Sequence, residues 1–73
     1  MKRGMSMQFQ LKDEYITLAQ LLKACDVVAS GGEAKDYLMY EEVFLNGTPE
    51  NRRGKKIRSG DVVETNGIRI EVR

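Results

Sequence analysis

Apolar and polar residues alternate from Met5 to Leu11, with Met5, Met7, Phe9 and Leu11 separated by Ser6, Gln8 and Gln10. A period of two predicts a strand with one buried face. The pattern then changes. Leu18, Leu21, Leu22 and Cys25 recur at the spacing of one helical stripe, behind a Thr17-to-Gln20 capping box. Ser30-Gly31-Gly32-Glu33 reads as a second capping box, opening a helix with Ala34, Tyr37 and Leu38 on one side. Further on, Val43 to Asn46 is strand-like, and Asn46-Gly47 is a hairpin signal followed by Pro49, which limits pairing. Ser59-Gly60-Asp61 turns the chain into Val62-Val63-Glu64. Asn66-Gly67 marks another hairpin, and Ile68, Ile70 and Val72 alternate with charged residues in a closing strand. These elements predict one α+β domain over residues 1–73: two short helices on a small antiparallel sheet, with an extra N-terminal strand.

The chain has 73 residues, near the lower limit for a self-sufficient core, and its 41% hydrophobic and 32% charged content is that of a globular domain. It has no His and no Trp. That excludes imidazole bases and His-ligated metals, and a single cysteine makes neither an internal disulfide nor a multi-Cys zinc site. Met1-Lys2-Arg3 resembles the start of a signal peptide, but Ser6, Gln8 and Gln10 interrupt any apolar segment behind it. No stretch has the length of a membrane span. The expectation is a cytoplasmic protein with no cofactor and no bound metal.

A net charge of +1 hides an uneven distribution. Arg52, Arg53, Lys55, Lys56 and Arg58 crowd five cations into seven residues, leaving seven basic and eleven acidic residues elsewhere, a net of −4. Such a segment creates a local field suited to phosphate, with Arg as a planar fork of donors and Lys as a compact charge. Gly54 lets its backbone turn close to a ligand. An ordinary solvated loop is the plainer alternative. The start of the second helix is another anion site on the same logic. Ser30, Gly31 and Gly32 leave N–H groups unpaired at the positive end of the helix dipole, with Lys35 one turn in. A simple helix cap explains the same residues.

The order of these features resembles the S-four RNA-binding domain, also called the alpha-L RNA-binding motif, and within it the small stand-alone bacterial type (YaaA and YbcJ). The matching stretch runs from about Ile16 to Val63. It comprises the leucines 18, 21 and 22, then Ser30-Gly31-Gly32-Glu33-Ala34-Lys35, then Val43-Phe44-Leu45-Asn46-Gly47. Arg52-Arg53-Gly54-Lys55-Lys56 and Gly60-Asp61-Val62-Val63 complete it. No one motif is specific; their order and spacing are. The resemblance implies a concave basic surface that holds structured RNA, built from both helices and the following loop. Residue by residue it points to Ser30, Lys35, Arg52, Arg53, Lys55 and Lys56. Two differences remove positive charge from the helical face. Thr17-Leu18-Ala19 stands where many members have Arg-Leu-Asp, and Gly31 follows Ser30 where many have Arg.

A-form RNA is recognised largely through shape, phosphates and 2′-hydroxyls, which suits a helix end beside a Lys/Arg loop. Tyr37 and Phe44 fall at apolar-periodic positions and read as core, whereas Tyr40 reads as exposed. An enzyme fits poorly. Cys25 lies on the apolar stripe, and Asp13/Glu14 and Glu41/Glu42 are sequence neighbours that do not converge on a substrate. Gly54-Lys55-Lys56 lacks the spacing and hydroxyl of a P-loop. The Asn46-Gly47-Thr48 sequon, without a secretory signal, means only a turn. A β-grasp carrier shares the Asn-Gly hairpin and Gly-Asp turn but requires a C-terminal Gly-Gly, where this sequence has Ile70-Glu71-Val72-Arg73. A protein-interaction adaptor remains the other alternative. The expectation is a monomeric module that binds ribosomal or transfer RNA, with a protein partner possible. Its contacts would come from Ser30, Gly31, Gly32, Lys35, Arg52, Arg53, Gly54, Lys55, Lys56 and Arg58.

Overall fold

The computed structural model describes residues 4–73, so the Met1-Lys2-Arg3 segment lies outside the described residues. The chain runs β1 (Met5–Phe9), β2 (Ile16–Thr17), α1 (Leu18–Ala24), α2 (Gly31–Tyr40), β3 (Phe44–Leu45), β4 (Thr48–Pro49), β5 (Lys56–Ile57), β6 (Val62–Thr65) and β7 (Ile68–Val72). Five strands form one sheet in the order β1-β7-β6-β3-β4, and β2 pairs with β5 in a second, two-stranded one. The class is α+β. The N-terminal strand joins β7 in parallel, so the main sheet is mixed while its other pairs are antiparallel.

Register assigns the faces. Val63 pairs with Ile70 and Thr65 with Ile68, and Met7 and Phe9 lie beside Ile70 and Val72. This face meets the leucine stripe of α1 and Ala34 and Leu38 of α2 in one core cluster that includes Val28, Val43 and Ile57. Leu18, Leu21 and Leu22 are fully buried. Each contributes about 1.5–3 kcal/mol of burial, which is why so short a helix holds. The opposite face carries Glu64, Arg69, Glu71 and Arg73, linked by ion pairs of 3.1–3.6 Å. Hydrogen bonds from Arg69 and Arg73 hold the Glu71 carboxyl below its ordinary pKa.

Phe44 departs from its expected place in the core. It is paired with Glu64, on the outer face, while Leu45 beside it packs inward. Met5 also escapes burial, at the end of its strand, and Tyr40 is exposed as expected. Cys25 is half-buried at the C-cap of α1, where burial and then the charge of Asp26 push its thiol pKa up.

Both hairpin signals are realised: Asn46 and Gly47, and Asn66 and Gly67, all take positive φ. Asn46 does more than turn the chain. Its Oδ1 accepts from Val62 N (2.9 Å) and its Nδ2 donates to Asp61 Oδ1 (3.0 Å). Asp61 Oδ2 in turn accepts from Arg58 N (2.8 Å), closing the turn at Gly60, whose φ is +95°. The Asn-Gly and Gly-Asp signals are therefore two halves of one contact.

Candidate nucleic-acid interface

The basic segment is anchored on α1 through its backbone. Leu18 N donates to the Lys55 carbonyl (2.8 Å) and Ala19 N to that of Arg53 (3.1 Å). These bonds satisfy N–H groups that the first turn of a helix otherwise leaves free. Thr17 supplies the rest of the cap: its Oγ1 accepts from Gln20 N, and Gln20 Oε1 accepts from Thr17 N. The start of α1 is thus closed to anions, and the segment sits in a fixed place beside it.

The segment is not a uniform loop. Lys56 and Ile57 form β5, paired with Thr17 and Ile16. Sequence periodicity missed this ladder because two residues are too few to show a period. The ladder and the α1 anchor distribute the five cations in different directions. Arg52 turns back to Glu50, giving Nε to Oε2 at 2.9 Å and Nη2 to Oε1 at 3.0 Å. That contact pulls the Glu50 carboxyl from an ordinary 4.5 to about 2. Lys56 Nζ and Arg58 lie 4.9 and 5.8 Å from the centroid of the Tyr15 ring. Lys55 is half-buried, and Arg53 stays exposed.

Arg53 is brought to α2. It lines a groove with Lys35, Leu38, Met39 and Asn51, a lining with two cations and no carboxylate. Leu38 faces the core from the same helix, so burying it fixes which way Lys35 can point. Lys35 and Arg53 are the pair of expected residues that the fold joins across two elements.

At the head of α2, Ser30 Oγ accepts from Glu33 N (3.1 Å). The reciprocal bond of the expected capping box goes elsewhere: Glu33 Oε1 accepts from Ala29 N (3.1 Å), one residue before the cap. A Cβ built on Gly31 meets nothing within 4 Å, and one on Gly32 meets only Ser30 Oγ at 3.9 Å. No side chain or backbone crowds the position a methyl on Gly31 would take, so a ligand can come close to the first turn there.

Three residues that bear on the interface were missed by sequence reading: Glu50, Asn51 and Tyr15. Glu50 stands two positions before Arg52 and was visible as a flanking acid. Asn51 also flanks the segment but carries no charge to mark it, and Tyr15 has no sequence signal, because only the tertiary fold carries it to Lys56 and Arg58.

This arrangement, two packed helices with a basic segment anchored across the first, defines a class. The S4 domain family model matches residues 9–73, and the chain belongs to that family, the S-four RNA-binding domain its motifs resemble. The chain is also 49% identical over 64 residues to the probable ribosome maturation protein RlbA of Bacillus subtilis (strain 168). That match covers 88% of this chain and 90% of the relative. No helix among the described residues is long and apolar enough to cross a membrane.

Proposed function

We propose that this protein is a non-enzymatic module that binds structured RNA through its phosphates and serves in ribosome maturation in the cytoplasm. The observation that carries the reading is the groove in which Lys35 of α2 and Arg53 of the basic segment meet without a carboxylate. Cations from two elements match phosphates spaced along a folded RNA better than a single flexible loop would. Arg53 and Lys35 form the centre of the surface. The open backbone at Ser30, Gly31 and Gly32 extends it along the helix start. Lys55, Lys56 and Arg58, with the turn at Gly54, extend it along the basic segment. Arg52 is the weakest contributor, because Glu50 neutralises it. The relative's name, a ribosome maturation protein, supports ribosomal over transfer RNA as the target.

Binding to a duplex-containing RNA and to DNA of the same sequence, over a salt series, tests the reading. About four phosphate contacts give a log–log slope of roughly −3 to −4, at ~0.7–0.9 per contact. The double variant Arg53→Glu/Lys55→Glu should lose binding yet fold normally, since the bonds to Leu18 and Ala19 use main-chain carbonyls. Lys35→Glu should weaken binding similarly. A shallow slope, or unchanged affinity in the double variant, would remove this surface from the site.

A further inference from the structure

Past the last turn of α2 lies a second concavity of opposite sign, an open groove of about 670 Å³. It shares no lining residue with the Lys35–Arg53 groove. Its apolar lining includes Met5, 60% exposed, Tyr40, 80% exposed, Ile68, and Phe44 on the outer face of the sheet. Its charged lining is Glu41, Glu42 and Glu64 against Arg69. Arg69 is already engaged, with Glu64 at 3.6 Å and Glu71 at 3.3 Å. Neither Glu41 nor Glu42 has an ion-pair partner among the described residues. The negative end of the α2 dipole points here too, with no basic residue in its last turn.

The walls are held by a chain of hydrogen bonds whose direction is determined. Thr65 Oγ1 donates to the Glu42 carbonyl (2.8 Å), so Tyr37 Oη donates to Thr65 Oγ1 (2.7 Å). Asn66 Nδ2 then donates to Tyr37 Oη (2.9 Å) and to Glu41 Oε1 (3.1 Å). The end of α2 and the tip of the β6–β7 hairpin are therefore fastened together before any partner arrives, which lowers the ordering cost of binding.

We propose that this groove docks a cationic protein segment: an extended stretch rich in Arg or Lys with apolar side chains between them. Glu41 and Glu42, without an ion-pair partner among the described residues, supply the attraction together with the helix end. Met5, Tyr40 and Phe44 supply apolar contact, and Tyr is favoured at the centre of interfaces. The same carboxylates repel the phosphates of RNA. The two grooves let one small domain hold RNA in one and a basic protein in the other. The proposal does not rest on the RNA reading.

The test is nitrogen-15 NMR titration of the full chain with capped synthetic hexapeptides: alternating Arg-Leu, alternating Lys-Ser and alternating Glu-Leu. The Arg-Leu peptide should bind saturably, shifting amides at 40–44 and 64–69. Lys-Ser should bind more weakly and Glu-Leu not at all. Tyr40→Ser/Glu42→Gln alters two exposed side chains and leaves the Glu42 carbonyl in place. It should weaken the Arg-Leu peptide about tenfold while RNA affinity is unchanged. Shifts confined to the Lys35–Arg53 side, equal binding of the Glu-Leu peptide, or no saturation would overturn the proposal. So would sedimentation showing a dimer that the double variant dissociates, since the groove would then belong to a second copy of this chain and not to a separate basic protein.

Discussion

Replacing Glu50 with Gln should lower the stability of this protein and tighten its hold on RNA, two effects of opposite sign from one charge. The Glu50 side chain is only 11% exposed and makes both arms of a bidentate pair with Arg52, plus a bond from Arg52 N (3.1 Å). The Arg52 side chain is 69% exposed, so water screens the pair and its contribution is about 0.5–1 kcal/mol. For a domain this size that loss lowers Tm by roughly 2–8 °C. Its pH dependence has a definite sign. The Glu50 pKa lies below its unfolded value, so the stabilisation is present above about pH 4.5 and is lost as pH falls toward 2. The variant's deficit should therefore shrink in acid. On the binding side, removing the carboxylate frees Arg52 for a phosphate. One added contact steepens the salt slope by ~0.7–0.9, a gain of about sixfold between 1 M and 0.1 M salt. Relief of repulsion adds about 0.6 kcal/mol per phosphate 7 Å away in water before screening. Fluorescence anisotropy over a salt series, beside thermal melts, measures both effects. Weaker binding with a shallower slope would refute the reasoning. It would mean that Glu50 holds Arg52 in the pose that meets phosphate rather than withholding it.

Gly31→Ala should raise stability by a few tenths of a kcal/mol, since Ala is the better helix former and its methyl meets only open space. The same methyl should weaken RNA binding if phosphate contacts this backbone, and unchanged affinity would take the first turn of α2 out of the interface. Thr65→Val should cost about 1–3 kcal/mol in a urea melt, because it removes a buried hydroxyl that serves both the Glu42 carbonyl and the Tyr37 hydroxyl. Tyr37→Phe should cost only about 1 kcal/mol, since Thr65 keeps its acceptor and Asn66 keeps Glu41; the reverse order would contradict the bond directions assigned here. Asn46→Ala should cost about 2 kcal/mol, losing its bonds to Asp61 and Val62 at a residue held at φ 52°, as measured by the same melts.

Sequence alone determined the local structure and the inventory of charge. Capping side chains, the 3.6-residue recurrence of Leu18, Leu21 and Leu22, the period-two strands and the Asn-Gly turns act over a few residues, so they are readable in order along the chain. The family resemblance was legible for the same reason: it consists of such local signals at fixed spacing. Pairing and direction were decided by the tertiary fold. Nothing local makes β1 run parallel to β7, turns Phe44 outward against Glu64, or pairs Lys56 with Thr17. The division of the basic segment is of this kind as well. Its cations are neighbours in sequence, yet main-chain bonds to α1 send Arg53 toward Lys35 and place Lys56 and Arg58 on Tyr15, while Glu50 claims Arg52. A count of charges states how much field a segment carries. Where that field points depends on backbone anchors formed between residues far apart in the chain.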